Sequence, residues 1–247
     1  MQMIRRLWRL LSLVVFLLLG GVMTLLLLPD MKHGIPGGRV QKARQWWYRQ
    51  ILRIMGVELV VHGQPADSAS LWVSNHISWL DIPLLGSLAP LGFLSKAEIR
   101  QWPIIGWLAS STGTLFIERG GKNASQKAAR AIAEHINQGH SILVFPEAMT
   151  TAGVTVKRFH PRLFAPAIDH ALKVQPVAIR YFHDDGSRHE RLPFIDQQPF
   201  FSNLWTVLGE KRSRAEVTFF PPVDAGQYSE RRPLAEHVHA QVLKAFD

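Results

Sequence analysis

Leu71-Trp72-Val73-Ser74-Asn75-His76-Ile77-Ser78-Trp79-Leu80-Asp81-Ile82-Pro83-Leu84-Leu85 is the stretch around which the rest of the chain can be arranged. Its first four residues read as a buried strand, and residues 81–88 read as a short apolar helix. His76 precedes Asp81 by five residues, which on a continuous helix is about 500° of rotation and leaves the side chains roughly 140° apart. The two therefore meet only if the strand ends near Ser74 and His76 lies in the turn entering the helix, with Asn75 or Ser78 as its cap. A carboxylate so placed fixes the imidazole tautomer and supports the cation formed when the ring takes a proton. That arrangement is a general base.

Outward from this stretch the pattern is mixed α/β. Strands are expected over residues 57–62, 92–95, 114–117, 142–145, 177–181 and 217–220, with a turn through Trp102-Pro103. Asn123 or Ser125 should cap a helix running to about Asn137 and closed by Gly139; further helices are expected over 162–170 and 234–246. With no internal repeat and no low-complexity linker, residues 57–247 read as a single mixed-sheet α/β domain flanked by helices.

Residues 1–56 have a different character and read as a membrane-docked helical segment. Residues 10–28 carry no charge and follow Arg5, Arg6 and Arg9. Nineteen residues lie at the short end for a spanning helix, and Leu28-Pro29-Asp30 offers no signal-peptidase site, so the segment reads as a retained anchor. Three topologies are open: a single crossing, a hairpin in one leaflet bent at Gly20-Gly21, or a helix lying in the interface, for which the run lacks a polar face. Basic residues on both flanks give no clean orientation. Both flanks on the cytoplasmic side would keep His76 near cytoplasmic acyl donors. A second, amphipathic helix over 40–55 carries Trp46-Trp47-Tyr48, the composition of an interfacial belt, and Gly56 closes it. An ordinary core-facing helix is the alternative.

The formal charge is +9, of which residues 1–60 contribute +7 through nine Lys/Arg against Asp30 and Glu58. Beside an apolar segment this favours an anionic membrane surface, and no RNA-binding aromatic signature or zinc knuckle points to nucleic acid. The chain has no cysteine, which excludes disulfides, thiolate metal sites and an acyl-cysteine intermediate. There is no G-x-S-x-G elbow, Gly120-Gly121-Lys122 lacks the remainder of a P-loop, and His237 and His239 have no third metal ligand in view. No metal or cofactor is expected.

The block around His76 and Asp81 resembles the HxxxxD signature of the glycerolipid acyltransferase family, and further blocks follow in that family's order. Gly113-Thr114-Leu115-Phe116-Ile117-Glu118-Arg119 resembles the second, Phe145-Pro146-Glu147 the start of the third, and Val174-Gln175-Pro176-Val177-Ala178-Ile179 the fourth. Lys96-Ala97-Glu98-Ile99, with Pro103 and Gly106, fits the segment between the first two. The third block departs from the family's usual Gly-Thr-Arg: Ala148, Met149 and Thr150 follow the glutamate, then Thr151. This resembles a subgroup that acylates other lysolipids, lyso-ornithine lipids among them. Alanine at 148 is also expected to hinder positive φ.

The resemblance implies an O-acyltransferase in which a lysolipid hydroxyl attacks a thioester supplied by acyl-CoA or acyl-carrier protein. His76 would be the base and Asp81 its support. Arg119 would hold the acceptor's phosphate and Glu147 would belong to the acceptor site, which the resemblance extends to Lys96 and Thr150. Lys157, Arg158, His160 and Arg162 either replace the missing arginine, Arg158 foremost, or form a solvated basic face. The expected product is phosphatidic acid from 1-acyl-sn-glycerol 3-phosphate, with a lyso-ornithine lipid as the alternative acceptor. The expected location is the inner, cytoplasmic membrane with the domain facing the cytoplasm. Backbone N–H groups near Ser78 to Asp81 are candidates for the oxyanion. The readings of other classes are a non-enzymatic domain binding anionic lipid and a lipid hydrolase on the same scaffold.

Overall fold

The computed structural model describes residues 1–27, 31–32, 35–36, 38–101, 106–107, 114–117, 124–195 and 198–247. Strands β3 (Val57–His62), β4 (Leu71–Ser74), β5 (Gly92–Lys96), β6 (Leu115–Ile117), β7 (Ile142–Val144), β8 (Lys173–Phe182) and β9 (Ser213–Phe219) lie in the order β3-β9-β8-β4-β7-β5-β6, with β10 (Val223–Asp224) beside β8. The run from β6 to β8 is parallel, β9 and β10 pair antiparallel with β8, and β3 is parallel to β9. The sheet is thus mixed, as the sequence implies. A two-residue ladder, β1 (Met31–Lys32) with β2 (Ile35–Pro36), precedes it.

Helices cover both faces. Ile51, Leu52 and Met55 of α2 (Gly38–Met55), Leu84 and Leu85 of α3 (Asp81–Leu88), and Leu204, Val207 and Leu208 of α6 (Phe200–Gly209) pack with Trp72, Val177 and Ile179 on one face. The other face buries Ile132, Ala133 and Ile136 of α4 (Ala124–Asn137), Ala167 of α5 (Ala165–Asp169) and Leu234, Val238 and Val242 of α7 (Arg231–Leu243). Leu71 and Val73 face one way and Trp72 the other, the period-2 alternation of a strand buried on both sides.

β8 extends past Pro176, which sequence reasoning takes as its boundary. Proline has no N–H to give a ladder. Here it sits where the neighbour changes, after Val174 pairs with β10 and before Val177 pairs with β9.

The apolar helix α1 (Gln2–Leu27) is continuous through Gly20-Gly21, with no hairpin turn there. Gly20 serves close packing instead: a Cβ there would come within 2.8 Å of the Trp47 indole. Trp47 also stacks on Phe16 at 5.8 Å; within Trp46-Trp47-Tyr48, Trp46 is exposed and the other two are half-buried. Arg44 and Arg49 of α2 likewise bond inward, to the carbonyls of Leu91 and Ser87. Arg5 and Arg9 are not free flanking charges either. They donate to the carbonyls of Gly209 and Glu210 at 2.5 and 2.6 Å, placing cations at the C-terminus of α6 where the helix dipole favours them.

Candidate active site

β4 ends at Ser74, in the middle of the parallel strands and at their C-terminal edge, where α/β sheets place ligands. Asn75 then replaces the ladder with its own amide: its Nδ2 donates to the Ile179 carbonyl (3.0 Å) and its Oδ1 accepts from the Ile179 N–H (2.8 Å). Held there, the chain turns through residues 75–80 into α3, and His76 comes to face Asp81. The geometric condition read from the five-residue spacing is met. Neither expected residue is the helix cap: α3 starts behind Leu80 without a side-chain cap, Asn75 being spent on β8 and Ser78 Oγ accepting the Leu80 N–H (3.4 Å) within the turn.

His76 Nδ1 lies 2.7 Å from Asp81 Oδ2. The same oxygen accepts from the N–H groups of Ile77 (2.7 Å) and Ser78 (3.0 Å), and Oδ1 accepts from the Tyr181 hydroxyl (2.7 Å). Asp81 is fully buried, and these donors are what make an ionised carboxylate tolerable there. With the carboxylate fixing hydrogen on Nδ1, the neutral ring presents its lone pair at Nε2. One ring face stacks on Phe145 at 3.9 Å, and the side chain is 20% exposed, enough for a small reactive group to reach it.

The loop after β7 grips the His76 peptide at both ends. Glu147, 3% exposed, accepts from the His76 N–H (2.6 Å) with one oxygen and from the Lys157 N–H (2.7 Å) with the other. The Thr151 N–H (2.8 Å) and hydroxyl (3.2 Å) both donate to the His76 carbonyl. Burial, opposed by those two amide bonds, pushes the Glu147 carboxyl up to about 7. Ala148 sits at a φ of 59°, although alanine is expected to avoid that region. The Ala148 N–H bonded to the Phe145 carbonyl and the two anchored oxygens of Glu147 hold the turn in place, at a cost of about 1–2 kcal/mol.

Two further predicted site residues are engaged outside the His76–Asp81 pair. The Thr150 hydroxyl donates to the Phe194 carbonyl and ties down the loop. Arg158 is exposed, 4.0 Å from Glu236 on α7. Lys96 ends β5 opposite Ile117; its side chain and the whole of Arg119 lie outside the described residues. The proposed oxyanion donors are largely committed within the turn: Ser78 N–H to Asp81, Leu80 N–H to Ser78 Oγ, and Asp81 N–H to the Ser78 carbonyl. Sequence reasoning gave no site role to Tyr181, Thr151 or Phe145, and took Asn75 for a possible helix cap instead of a tie to β8. A signal for Tyr181 existed, since it continues the alternation of Val177 and Ile179 onto the face that carries α3.

Among the described residues one other group offers metal-type ligands, namely His183, His189 and Glu210. It is poorly built for an ion. The two imidazoles stack at 3.8 Å and 24°, so their lone pairs lie in nearly parallel, separated planes, a poor arrangement for meeting at the 2.0–2.1 Å a metal needs. The Arg191 guanidinium already lies 2.9 Å from Glu210.

A family model described as Acyltransferase matches residues 58–180. The chain is 39% identical over 221 residues to a lyso-ornithine lipid O-acyltransferase of Pseudomonas aeruginosa, covering 88% of this chain and 84% of that protein. It is 32% identical over 197 residues to a 1-acyl-sn-glycerol-3-phosphate acyltransferase of Neisseria meningitidis serogroup B, covering 78% and 76%. The crystal structure of the 1-acyl-sn-glycerophosphate acyltransferase PlsC from Thermotoga maritima matches with a TM-score of 0.76 at 21% identity, over 99% of this chain and 94% of that one. At that identity the likeness concerns the fold.

Proposed function

The chain belongs to the acyltransferase family, and from that premise we propose that His76 is the general base of a lysolipid O-acyltransferase whose acceptor is a lyso-ornithine lipid. The carrying observation is the His76–Asp81 pair, with Nδ1 held at 2.7 Å and Nε2 turned to the accessible side. The acceptor hydroxyl attacks the thioester carbonyl carbon while its proton passes to His76 Nε2. That attack forms the ester C–O bond and an oxyanion; collapse of the tetrahedral adduct restores the carbonyl, breaks C–S, and returns the proton to the departing thiolate. General-base help of this kind contributes about 10²–10⁴-fold, and Asp81 supports the imidazolium in between.

Two observations favour the lyso-ornithine acceptor. The greater identity is to the Pseudomonas protein that acts on that lipid, and the third block lacks the usual arginine. Acylation of 1-acylglycerol 3-phosphate, favoured by the block resemblance and by the Neisseria relative, is the second reading, with Arg119 as its phosphate ligand. Glu147 supports either as a holder of the His76 turn, since both its oxygens are occupied by backbone donors.

The membrane is met through α1. Ile4, Leu7, Leu11, Leu18, Val22 and Leu25 form an exposed apolar ridge, while Arg5 and Arg9 bind α6 and Gly20 packs on α2. A 26-residue helix is about 39 Å long. Fastened to the domain near both ends, it lies along one leaflet, with protein instead of water covering its second face. Both flanks then share one side, which supports a domain facing cytoplasmic donors at the inner membrane, with anionic lipid headgroups beside the exposed Lys42 and Arg53.

The test offers membranes containing the protein both lysolipids, with His76→Ala as control. Transfer to the lyso-ornithine lipid that vanishes in the variant supports the proposal. Transfer confined to 1-acylglycerol 3-phosphate would move the second reading ahead, and none to either would sink both.

A further inference from the structure

The two oxygens of Asp81 are served unequally. Oδ2 takes the imidazole and two backbone N–H groups, whereas Oδ1 takes a single donor, the hydroxyl of Tyr181, from a strand a hundred positions later in the chain. Both side chains are buried, so water does not stand in for that donor. We infer that Tyr181 is a positioning residue that sets the basicity of His76 by holding the second oxygen of Asp81. The inference rests on His76 acting as the base.

The physical argument concerns how one negative charge is shared. A hydrogen bond to a buried carboxylate stabilises the charge and draws part of it away from the other partners. With the phenol in place, Asp81 divides its charge between Tyr181 and the His76 turn. Remove the hydroxyl alone and Oδ1 becomes a buried acceptor without a donor, so the field of the carboxylate falls more fully on the imidazole. The imidazolium is then favoured, and His76 holds a proton to higher pH, where it cannot serve as base. Tyr181 keeps its own proton throughout, because burial and the neighbouring Asp81 both push the phenol well above its ordinary range. Among the described residues, the titratable groups facing His76 are Asp81 from α3, Tyr181 behind it on β8, and Glu147 from the loop after β7. Glu147 shares no hydrogen bond with Tyr181, and it feels the charges of Asp81 and His76 in wild type and variant alike.

The experiment is the pH profile of kcat/KM for acyl transfer by the full-length protein and by Tyr181→Phe, with thermal unfolding to confirm that the variant is folded. The acid limb should move to higher pH by about one unit, giving up to about a tenfold loss on the acid side of the limb that is recovered in alkali. KM for the acceptor should hold steady. Substituting 3-fluorotyrosine at position 181, a stronger donor of nearly the same shape, should move the limb the other way. An unmoved limb, or a loss equal at every pH, overturns the proposal and leaves Tyr181 a packing residue. Undiminished turnover in His76→Ala would be a different failure, bringing down the base reading itself along with this inference.

Discussion

At the end of β4 a histidine meets a buried carboxylate, and beyond β8 another does the same. His76 and Asp81 lie 2.7 Å apart; His189 and Glu210 lie 3.6 Å apart, and His189 is the more deeply buried histidine. In the first cluster every donor converges on the carboxylate and leaves one ring nitrogen facing outward. In the second the ring is enclosed: it stacks on His183, its Nδ1 takes the Arg191 N–H, and its Nε2 faces Ser213 Oγ at 3.1 Å. Burial, helped by the charge of His183, brings the His189 imidazole down to about 4, so it is neutral and inert in the working range. Residue types alone do not separate these clusters. What separates them is whether a lone pair is left pointing at something that can react.

The sharpest way to break this contrast is to remove each histidine. His76→Ala should lower transfer by at least about 10²-fold while the protein still folds and binds membranes, since Ile77, Ser78 and Tyr181 continue to serve Asp81. His189→Ala should do the reverse, costing about 2–4 kcal/mol of stability with little change in transfer per folded molecule. Equal activity losses in the two variants would erase the distinction.

Asp81→Ala should cost both. It leaves two N–H groups and a phenol buried without acceptors, at about 3 kcal/mol or more, so its unfolding midpoint should fall well below that of His76→Ala. Glu147 sharpens the comparison through pH. Folded, it keeps its proton up to about 7, whereas the unfolded carboxyl loses it near its ordinary value of 4.5. Its contribution to stability therefore declines as pH rises through that window. Glu147→Gln should flatten this decline in melting temperature; an unchanged slope would show that the carboxyl is already ionised by its two amide donors. The smallest effect expected is for Ala148→Gly, which relieves the φ of 59° and should raise stability by about 1 kcal/mol with the site otherwise unaltered.

Much of this was legible beforehand where the sequence changes period abruptly. The apolar run at 71–74 and the helix at 81–88 were readable at their observed bounds, because polar turn residues separate two clean patterns. Asp81 as partner of His76 followed from that break. The unread helix α6 shows the opposite case: Phe200, Phe201, Leu204, Trp205, Val207 and Leu208 are apolar on every side, with no charge to mark a face and no capping side chain. It is covered by the sheet on one side and α1 on the other, information that lies two hundred residues away in the chain. Tyr181 was hidden for a related reason. Its alternation placed it on the right face, but only the height of α3 over the sheet brings its hydroxyl to Asp81.

One contact chain has a practical consequence. Arg5 and Arg9 bind the end of α6; within α6, Asn203 accepts from the Trp79 indole N–H at 2.9 Å, and Trp79 lies in the turn between His76 and Asp81. Cutting the first helix away to obtain a water-soluble enzyme would therefore strip the cap from α6 and unsettle the reacting turn as well. Solubility is better sought by changing outward side chains such as Leu11, Leu18 and Val22 to polar ones, which leaves the arginines in place and separates attachment to lipid from the integrity of the fold.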